Sequence, residues 1–365
     1  MLTALGLTDF RNHRATTLTG AARFNLLVGE NGAGKTNVLE AISLLAPGRG
    51  LRRAALAEMA GAQGAGGFSV SAALIAPGSD EPLRLGTGTS AAAPTRRQVR
   101  INGADGSALG LADWLAVFWL TPAMDRIFAE GAGARRRLMD RMALGLDASH
   151  ASAAARAEAA LRERNRLLAG ADEPDPRWLD AVDVQLAEAG ARVAQARAGL
   201  VARLEGALAG LPDAPFARPA LTYVAGGPVE AGALLVALGE GRRRDRAARR
   251  TLVGPHRDEL AVVHAGKGQA AAACSTGEQK AMLIALTLAH SELAGAAGPR
   301  LLLLDEVAAH LDPVRRAALF ERLAATGAQV WITGTEIAPF VEPLAPFGGE
   351  TRVWRVAGGA VQEEG

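Results

Sequence analysis

Cysteine, lysine and aromatic residues are scarce in this chain of 365 residues, and each scarcity excludes something. Cys274 is the single cysteine, so an internal disulfide and a cysteine-based metal cluster are ruled out, which fits a reducing compartment. Aromatic residues make up 4% of the chain, and lysine occurs only at positions 35, 267 and 280, so arginine supplies nearly all of the 40 basic residues. The formal net charge of +2 does not by itself indicate a nucleic-acid partner.

Long hydrophobic runs are also missing. The longest apolar helical stretch, Ala281 to Leu293, includes His290, Ser291 and Glu292, and it is too short and too polar to span a bilayer. The segment from Met1 to Arg14 lacks the basic region and apolar stretch of a signal peptide. With 49% hydrophobic and 21% charged residues the composition is that of a globular protein, and we expect it to be soluble and cytoplasmic.

The most informative motif is G-x-x-x-x-G-K-T, the phosphate-binding loop of P-loop nucleotidases. It consists of Gly29, Glu30, Asn31, Gly32, Ala33, Gly34, Lys35 and Thr36, followed by Asn37. The apolar run Phe24 to Val28 predicts a strand that enters the loop, and the spacing from Val38 to Leu45 predicts a helix that leaves it. In such a loop the backbone N–H groups and the helix N-terminus face phosphate oxygens. We therefore predict nucleotide binding by residues 29–37, with Lys35 at the β- and γ-phosphates and the Thr36 hydroxyl on Mg²⁺.

A second motif supplies the acids that ATP hydrolysis needs. Leu301 to Leu304 is continuously apolar, as expected of a buried parallel strand, and Asp305 and Glu306 follow at its carboxyl end. Asp305 is predicted to support Mg²⁺, and Glu306 to polarise the water that attacks the γ-phosphate. A helix cap after a core strand is the alternative, but beside a P-loop the pattern favours catalysis, with Glu306 and Lys35 as the catalytic residues.

Two further motifs resemble those of the ABC ATPase superfamily. Ser275 to Lys280 precedes a helix rich in alanine and leucine and resembles the ABC signature, in which Ser275 caps the helix and the helix N-terminus holds an anion. In that superfamily the signature completes the nucleotide site of the opposite subunit. Ala309-His310-Leu311-Asp312 resembles the D-loop. The resemblance implies further nucleotide contacts from Ser275, Gly277, Glu278 and Asp312.

Two other features of the superfamily are not evident. ABC transporters usually place a histidine after the next strand, where this chain has Ile332-Thr333-Gly334-Thr335. Thr333 or Thr335 is the candidate replacement as a γ-phosphate sensor. The glutamine that usually contacts Mg²⁺ is not evident either, because Gln63 and Gln98 do not lie at a convincing junction between a strand and a helix.

The periodicity of apolar residues changes along the chain and predicts three segments. Residues 1–134 alternate as strands do, with an antiparallel β subdomain between residues 68 and 101. Residues 135–250 follow helical spacing, with an apolar stripe formed by Leu179, Val182, Leu186, Ala189, Val193, Ala196, Leu200, Leu204 and Leu208. Residues 251–365 return to alternating strands and helices of a parallel sheet, beginning with a strand from Leu252 to His264. We therefore predict an α/β fold: an ABC-type ATPase head with a mixed sheet, split into residues 1–134 and 251–365, and a smaller helical lobe at 135–250.

Five strings of residues together resemble the RecF family of bacterial recombination mediators. They are Phe10-Arg11-Asn12-His13, the loop from Gly29 to Asn37, Arg135-Arg136-Arg137-Leu138-Met139-Asp140, Gly254-Pro255-His256-Arg257-Asp258 and Ser275-Thr276-Gly277-Glu278-Gln279-Lys280. The resemblance implies an SMC-like head, a weak DNA-stimulated ATPase, and a homodimer that forms with ATP on DNA at single-strand gaps and duplex junctions. It also implies cooperation with RecR and RecO in loading RecA during recombinational repair and replication restart, in association with the nucleoid. Arg11 and Asn12 would then face the nucleotide, and His256 and Arg257 would have a structural or coupling role.

Two other classes of function stay open at this point. An ABC ATPase subunit of a membrane transporter would need a docking surface for its membrane partner. An ATP-gated structural clamp of SMC type would bind ATP without catalytic turnover. The insertion between Lys35 and Ser275 is longer than in transporter nucleotide-binding domains, yet its stripe of about four heptads forms only a stub beside the coiled coil of an SMC protein.

Clusters of arginine are the candidates for phosphate contacts with DNA. They are Arg242, Arg243, Arg246 and Arg249 in one cluster and Arg52 and Arg53 in another. A solvated basic face is the alternative for the first cluster, given the arginine-rich composition. No base-reading motif is visible, which favours structure-selective binding of DNA.

Overall fold

The computed structural model describes residues 1–64, 66–76, 81–211, 215–294, 298–308 and 311–364. The chain divides into two compact units: unit 1 comprises Met1–Met124 and His290–Gly365, and unit 2 comprises Asp125–Ala289. Compactness thus groups residues 251–289 with the helical residues, whereas the sequence assigned them to the second half of the head. The predicted boundaries of the head stay a prediction.

Strands and helices alternate irregularly over the described residues. The strands are β1 (Leu2–Phe10), β2 (His13–Thr19), β3 (Phe24–Val28), β4 (Phe68–Ile75), β5 (Pro82–Ser90), β6 (Ala93–Ile101), β7 (Ala104–Asp105), β8 (Ala116–Leu120), β9 (Pro219–Val224), β10 (Glu259–His264), β11 (Gln269–Ala270), β12 (Arg300–Leu304), β13 (Gln329–Gly334), β14 (Thr351–Ala357) and β15 (Ala360–Glu364). The α-helices are α1 (Lys35–Ser43), α2 (Leu56–Met59), α3 (Ala132–Leu146), α4 (Ser149–Ala169), α5 (Pro176–Ala209), α6 (Ala231–Ala247), α7 (Thr276–Leu293), α8 (Pro313–Ala325) and α9 (Ala338–Leu344). Among the described residues, no helix combines the length and the hydropathy that a membrane span requires.

One sheet of unit 1 is antiparallel and follows the spatial order β2-β1-β4-β5-β6-β7. Buried and exposed side chains alternate through most of β4, as in a sheet with one face on the core. The predicted antiparallel subdomain is therefore present, and β1 and β2 also belong to it.

The second sheet of unit 1 positions the nucleotide motifs. Its order is β15-β14-β3-β13-β12-β8, and every neighbouring pair is parallel except β14 and β15. All residues of β3 and β13 are buried, as expected of parallel strands that are covered on both faces of the sheet. Because the carboxyl ends of parallel strands lie at one edge, β3 brings Gly29 and β12 brings Asp305 to the same edge.

A single hydrophobic cluster joins both sheets of unit 1 and helix α1. It includes Leu5, Ile42, Val70, Leu303 and Trp331, none of which is more than 1% exposed. The helix that follows the P-loop is therefore fixed by burial of its apolar face, and the start of that helix is fixed with it.

Unit 2 contains helices α3 to α6, most of α7 and an antiparallel sheet in the order β11-β10-β9. Helix α5 spans 34 residues and begins after Asp175, whose carboxylate accepts the backbone N–H of Arg177. Pro176 occupies the first helical turn, where a missing N–H costs nothing. Every position of the predicted apolar stripe except Ala196 is buried, so the predicted amphipathic helix is confirmed.

The predicted strand from Leu252 to His264 was wrong in extent and in its sheet. Only Glu259–His264 is extended, and it pairs with β9 in the antiparallel sheet of unit 2. Its burial alternates, as expected when one face of an antiparallel sheet is covered, whereas a central parallel strand is buried on both faces. Pro255–Arg257 forms a short 3-10 helix.

A fully buried arginine connects three helices of unit 2. Arg164 of α4 donates from Nε to Asp183 of α5 and from Nη1 to Asp245 of α6, each at 2.6 Å. Its remaining donors reach the hydroxyl of Thr251 and the carbonyl oxygen of Leu238. The guanidinium is therefore paired with acids on both neighbouring helices.

Candidate nucleotide-binding site

The lysine of the P-loop is folded back onto the loop itself. Lys35 is 4% exposed, and its Nζ donates to the carbonyl oxygens of Gly29 at 2.6 Å and Glu30 at 2.9 Å. Burial lowers the pKa of Lys35, and the charges of Glu306 and Asp305 act in the opposite sense. The ammonium group therefore lies near both acids, where phosphate oxygens can replace the two carbonyls as its partners.

Two glycines of the loop permit close approach of neighbouring segments. Gly34 has a φ of 117°, and a Cβ there would lie 2.8 Å from side-chain atoms of Asn12 and His13. A Cβ on Gly29 would overlap the carbonyl oxygen of Val356 in β14. The loop is thus held from one side by the β1–β2 turn and by β14.

Asp305 links the P-loop to the neighbouring strands. Its Oδ1 accepts the hydroxyl groups of Thr36 and Thr333, each at 2.9 Å. Burial raises the pKa of Asp305, and the two hydroxyl donors act against that rise. A hydroxyl and a carboxylate in direct contact are hard oxygen ligands of the kind that Mg²⁺ takes, so Thr36 and Asp305 fit such an ion.

Glu306 and Thr333 are connected through the backbone. Glu306 has a φ of 53°, and its N–H donates to Oγ1 of Thr333 at 2.9 Å. The fully buried Thr333 therefore accepts from Glu306 while it donates to Asp305, and it orients both acids. Left-handed backbone is uncommon outside glycine, so this position is fixed by its neighbours. Thr335 is exposed just beyond β13, and the sensor role of either threonine stays a prediction.

The β1–β2 turn is fastened to the P-loop by two side chains. Asn12 donates from Nδ2 to the carbonyl oxygen of Ala33 at 3.0 Å, and Nε2 of His13 lies 3.1 Å from the carbonyl oxygen of Gly34. His13 is fully buried, and burial lowers its pKa. Because the carbonyl oxygen of Gly34 can only accept, the contact with Nε2 is a hydrogen bond when Nε2 carries the ring proton.

The turn between β14 and β15 completes this support. The N–H of Gly359 donates to the carbonyl oxygen of Ala33 at 3.1 Å. The hydroxyl of Thr16 donates to the carbonyl oxygen of Gly359 at 2.9 Å and lies 3.1 Å from Nδ1 of His13. The β1–β2 turn and the β14–β15 turn, which are distant in sequence, thus both form hydrogen bonds with the backbone of the P-loop.

A buried carboxylate on α1 binds two arginines. Glu40 accepts Nε and Nη2 of Arg11 at 2.9 and 2.8 Å, and Nη1 of Arg52 at 3.0 Å. Arg52 also donates to Asn37, and Asn37 donates to Asn12, both at 2.7 Å. The structure therefore places Arg11 as an anchor of the β1–β2 turn and Arg52 beside the P-loop helix; nucleotide contact by the first and DNA contact by the second stay predictions.

The signature motif forms the exposed start of α7. Oγ of Ser275 donates to Oε2 of Glu278 at 2.9 Å, and Lys267 donates to the other carboxylate oxygen of Glu278. The ion pair with Lys267, followed by the hydrogen bonds from Ser275, lowers the pKa of Glu278 to about 2. Ser275 and Gly277 are exposed, as a motif that acts on another chain requires.

The remaining predicted site residues differ in whether their side chains form hydrogen bonds or are exposed. Asp312 accepts the backbone N–H of Arg315 at 2.9 Å and so caps α8, while Ala309 and His310 of the predicted D-loop lie outside the described residues. Arg242 donates to Asp180 and Asp183, and Arg246 donates to backbone carbonyls. The other arginines predicted to contact DNA are exposed: Arg243, Arg249 and Arg53.

Sequence reasoning missed the residues that support the loop from behind. Glu40 offered a signal, because a carboxylate between the apolar residues Leu39 and Ala41 of a buried helix requires a cationic partner. Thr16 and Gly359 offered none, since their role depends on contacts between segments that lie far apart in the chain.

Comparison with known proteins gives consistent results for the sequence. A family model described as RecF/RecN/SMC N terminal domain matches residues 1–338. The DNA replication and repair protein RecF of Mesorhizobium japonicum is 46% identical over 355 residues, which cover 93% of this chain and 92% of that protein. The protein of the same name from Rhizobium rhizogenes is 44% identical over 380 residues, with coverage of 99% and 98%.

Solved structures agree in fold. The recombination mediator protein RecF-ATPrS in the RecFOR pathway matches with a TM-score of 0.87 at 22% identity, covering 100% of this chain and 98% of its own. An Smc head bound to the C-winged helix domain of ScpA matches with a TM-score of 0.53 at 15% identity, covering 100% and 96%. These similarities confirm the predicted α/β fold of the ATPase-head type. The resemblance first drawn from five short strings is confirmed as well, and the chain belongs to the RecF family.

Proposed function

We propose that this chain is an ATP-dependent DNA-binding protein of recombinational repair, which dimerises with ATP on DNA and helps to load a recombinase at single-strand gaps and junctions. The 2.9 Å contact between Thr36 and Asp305 carries the proposal, because it joins the P-loop to the acid-bearing strand where P-loop ATPases hold Mg²⁺ and ATP. The names of the relatives, DNA replication and repair proteins, support the DNA-related part.

ATP hydrolysis follows from the residues around that contact. Lys35 would exchange its two carbonyl partners for oxygens of the β- and γ-phosphates, and Mg²⁺ held by Thr36 and Asp305 would neutralise phosphate charge when bound. Glu306 follows Asp305 and accepts the proton of the attacking water. We expect slow turnover in the isolated chain and faster turnover with DNA, because the site is complete only when a second copy is engaged.

The second copy contributes its signature motif. Ser275 and Gly277 lie exposed at the start of α7, where the helix dipole favours an anion. A γ-phosphate held by one chain would bind there on its partner, and Asp312 is proposed as a further nucleotide contact. ADP lacks that phosphate, so it does not support the dimer.

Partners and location follow the family. We propose cooperation with RecR- and RecO-like mediators and a place in the cytoplasm, in association with the nucleoid. Family membership counts against a transporter ATPase subunit. A clamp of SMC type would bind ATP without hydrolysing it. It differs from the proposal in one measurable respect, because it would show no ATP turnover that depends on Glu306.

The test compares ATP turnover of wild type and Glu306→Gln with and without gapped duplex DNA. Glu306→Gln removes the base while it keeps ATP binding, so turnover should fall by about 10²- to 10⁴-fold and an ATP-bound dimer should accumulate in light scattering. Glu336→Gln, an exposed glutamate of unit 1, is the matched control. Turnover in Glu306→Gln equal to that of the control would assign the base elsewhere, and a wild type without turnover would favour the clamp.

A further inference from the structure

Asp258, the last residue of the string Gly254-Pro255-His256-Arg257-Asp258, accepts its side-chain hydrogen bonds from residues of unit 2. Asp258 is 1% exposed. Its Oδ2 accepts Nη1 of Arg197 at 2.9 Å and the hydroxyl of Tyr223 at 2.7 Å, and its Oδ1 accepts the N–H of Gly226 at 2.9 Å. Both carboxylate oxygens of Asp258 therefore already have hydrogen-bond donors within unit 2.

The next acid is neutralised in the same way. Glu259 accepts Nε and Nη2 of Arg135 at 2.7 and 2.8 Å, in the bidentate geometry that suits a guanidinium and a carboxylate. This pairing lowers the pKa of Glu259 and raises that of Arg135. Arg135 and Glu259 thus form a closed pair beside the string.

Two arginines beside these acids form no ion pair in the part of the chain that the structure describes. Arg136 donates from Nη1 to the backbone carbonyl oxygen of Asp258 at 2.8 Å, and Arg257 is exposed. Among the described residues, none forms an ion pair with either guanidinium. Burial and the charges of Arg197 and Arg257 lower the pKa of Arg136, while the charges of Glu259 and Asp258 act in the opposite sense. Burial also lowers the pKa of His256, and the charges of Arg257 and Arg136 act in the same direction.

We propose that Arg136 and Arg257 form a binding site for phosphate groups of the DNA backbone. The inference rests on the proposed function and names the surface of unit 2 that serves it. Guanidinium groups bind phosphate oxygens through parallel N–H donors, and unpaired ones gain most from an anion because no carboxylate has to be displaced. Arg242 differs in this respect, since it is already bound by Asp180 and Asp183.

Such a site contacts the backbone and carries no sequence preference, which fits recognition of a DNA structure. Phosphate could also come from ATP, so the experiment must separate the two sources. The P-loop already provides the lysine and the backbone donors for ATP, and the Arg136 and Arg257 site has neither. We therefore assign the site to DNA.

The test measures the affinity for gapped duplex DNA by fluorescence anisotropy, with ATP, over a range of salt concentrations. Arg257→Gln removes one phosphate contact, so affinity at 0.1 M salt should fall about five- to tenfold, and the slope of log K against log salt should decrease by about 0.9. Arg156→Gln is the matched control, because Arg156 is exposed on α4 and forms no ion pair among the described residues. ATP-dependent dimerisation without DNA should be the same for both variants.

Each other outcome overturns the inference. Equal affinity and salt slope in the two variants would show that Arg257 contacts no DNA phosphate. Loss of ATP-dependent dimerisation without DNA in Arg257→Gln would assign the site to nucleotide phosphate. A wild-type protein that binds no DNA with ATP would remove the proposed function together with the site, which distinguishes that failure from the first two.

Discussion

Among single residues, Asp305 is the one whose burial opposes the charge that its proposed role requires. Burial disfavours its ionised form and raises its pKa, yet the proposed role as a ligand of Mg²⁺ requires the ionised form. The hydroxyls of Thr36 and Thr333 relieve part of that cost, because both donate to Oδ1. An amide oxygen in the same place would accept the same two hydrogen bonds without a charge.

Asp305→Asn should therefore stabilise the nucleotide-free protein at neutral pH and abolish Mg²⁺-dependent turnover. The folded-state pKa is raised, so between the ordinary carboxyl pKa and the raised value the folded chain binds more protons than the unfolded chain, and stability falls as pH rises through this window. The penalty is complete above this window and absent below it. Thermal unfolding over a series of pH values should show that the melting temperature of the variant exceeds that of wild type by a margin that grows as pH rises through the window, and ATP turnover should fall by about 10²-fold or more.

The control is Asp312→Asn, which alters an exposed carboxylate that caps α8 in the same unit. A wild type that is as stable as Asp305→Asn at pH 7 would show that the buried charge carries no penalty. Retained turnover would show that Mg²⁺ is held by other groups.

The sequence predicted those site residues that lie in contiguous motifs. Lys35, Thr36, Asp305 and Glu306 each follow a strand whose apolar run marks its end, so parallel-sheet topology brings them together. The role of Thr333 was open between two threonines, because the sequence does not reveal which hydroxyl is buried.

Among elements, helices α4, α5 and α6 are joined by the buried guanidinium of Arg164. It is paired with Asp183 and Asp245, all three side chains being inaccessible to solvent. Arg164→Ala leaves two buried carboxylates without this partner, so the free energy of unfolding should fall by about 3–5 kcal/mol and the melting temperature by roughly 10 °C. Urea and thermal unfolding of the full chain measure both.

Arg162→Ala provides the comparison on the same helix. Arg162 pairs with Glu158 at the surface, where the two side chains are 65% and 70% exposed, so its removal should cost about 0–1 kcal/mol. If Arg164→Ala unfolds no more easily than Arg162→Ala, the buried network does not hold the three helices together.

Elements with a clear apolar run or period were predictable, and strands with a weak pattern were not. The predicted bounds of β3 equal those observed, because an apolar run that ends at the first glycine of the P-loop marks both of its ends. Strands β9, β14 and β15 were not predicted: their alternation is weak, and their pairing partners lie far away in sequence. For the same reason, Leu252–Asp258 was mistaken for strand.

For the molecule as a whole, the exposed signature predicts that ATP bridges two chains. Ser275→Arg places a large cation where a partner's γ-phosphate would bind, and Glu278 keeps its partner Lys267, so the start of α7 remains folded. The variant should bind ATP with nearly wild-type affinity while ATP-dependent dimerisation, hydrolysis and tight DNA binding are lost together. Equilibrium ATP titration and light scattering with ATP, ADP and no nucleotide measure the first two properties.

Ser152→Arg makes the same replacement at an exposed serine of α4 and should behave as wild type. Dimerisation of Ser275→Arg with ATP, to the extent seen for Ser152→Arg, would contradict action of the signature across two chains. Lost ATP binding in Ser275→Arg would instead place the motif on the nucleotide of its own chain.

The hairpin of β14 and β15 is synthesised long after the P-loop that it contacts. The hydroxyl of Thr16 and the carbonyl of Gly359 are 343 residues apart in the chain, so a ribosome needs about 20 to 70 seconds to make the second after the first. During that time the nascent chain carries a complete phosphate-binding sequence without Gly359, one of the two groups that donate to the carbonyl oxygen of Ala33. We therefore expect nucleotide capture to await synthesis of the hairpin, and fragments that lack it are not expected to bind ATP or to dimerise with the finished protein.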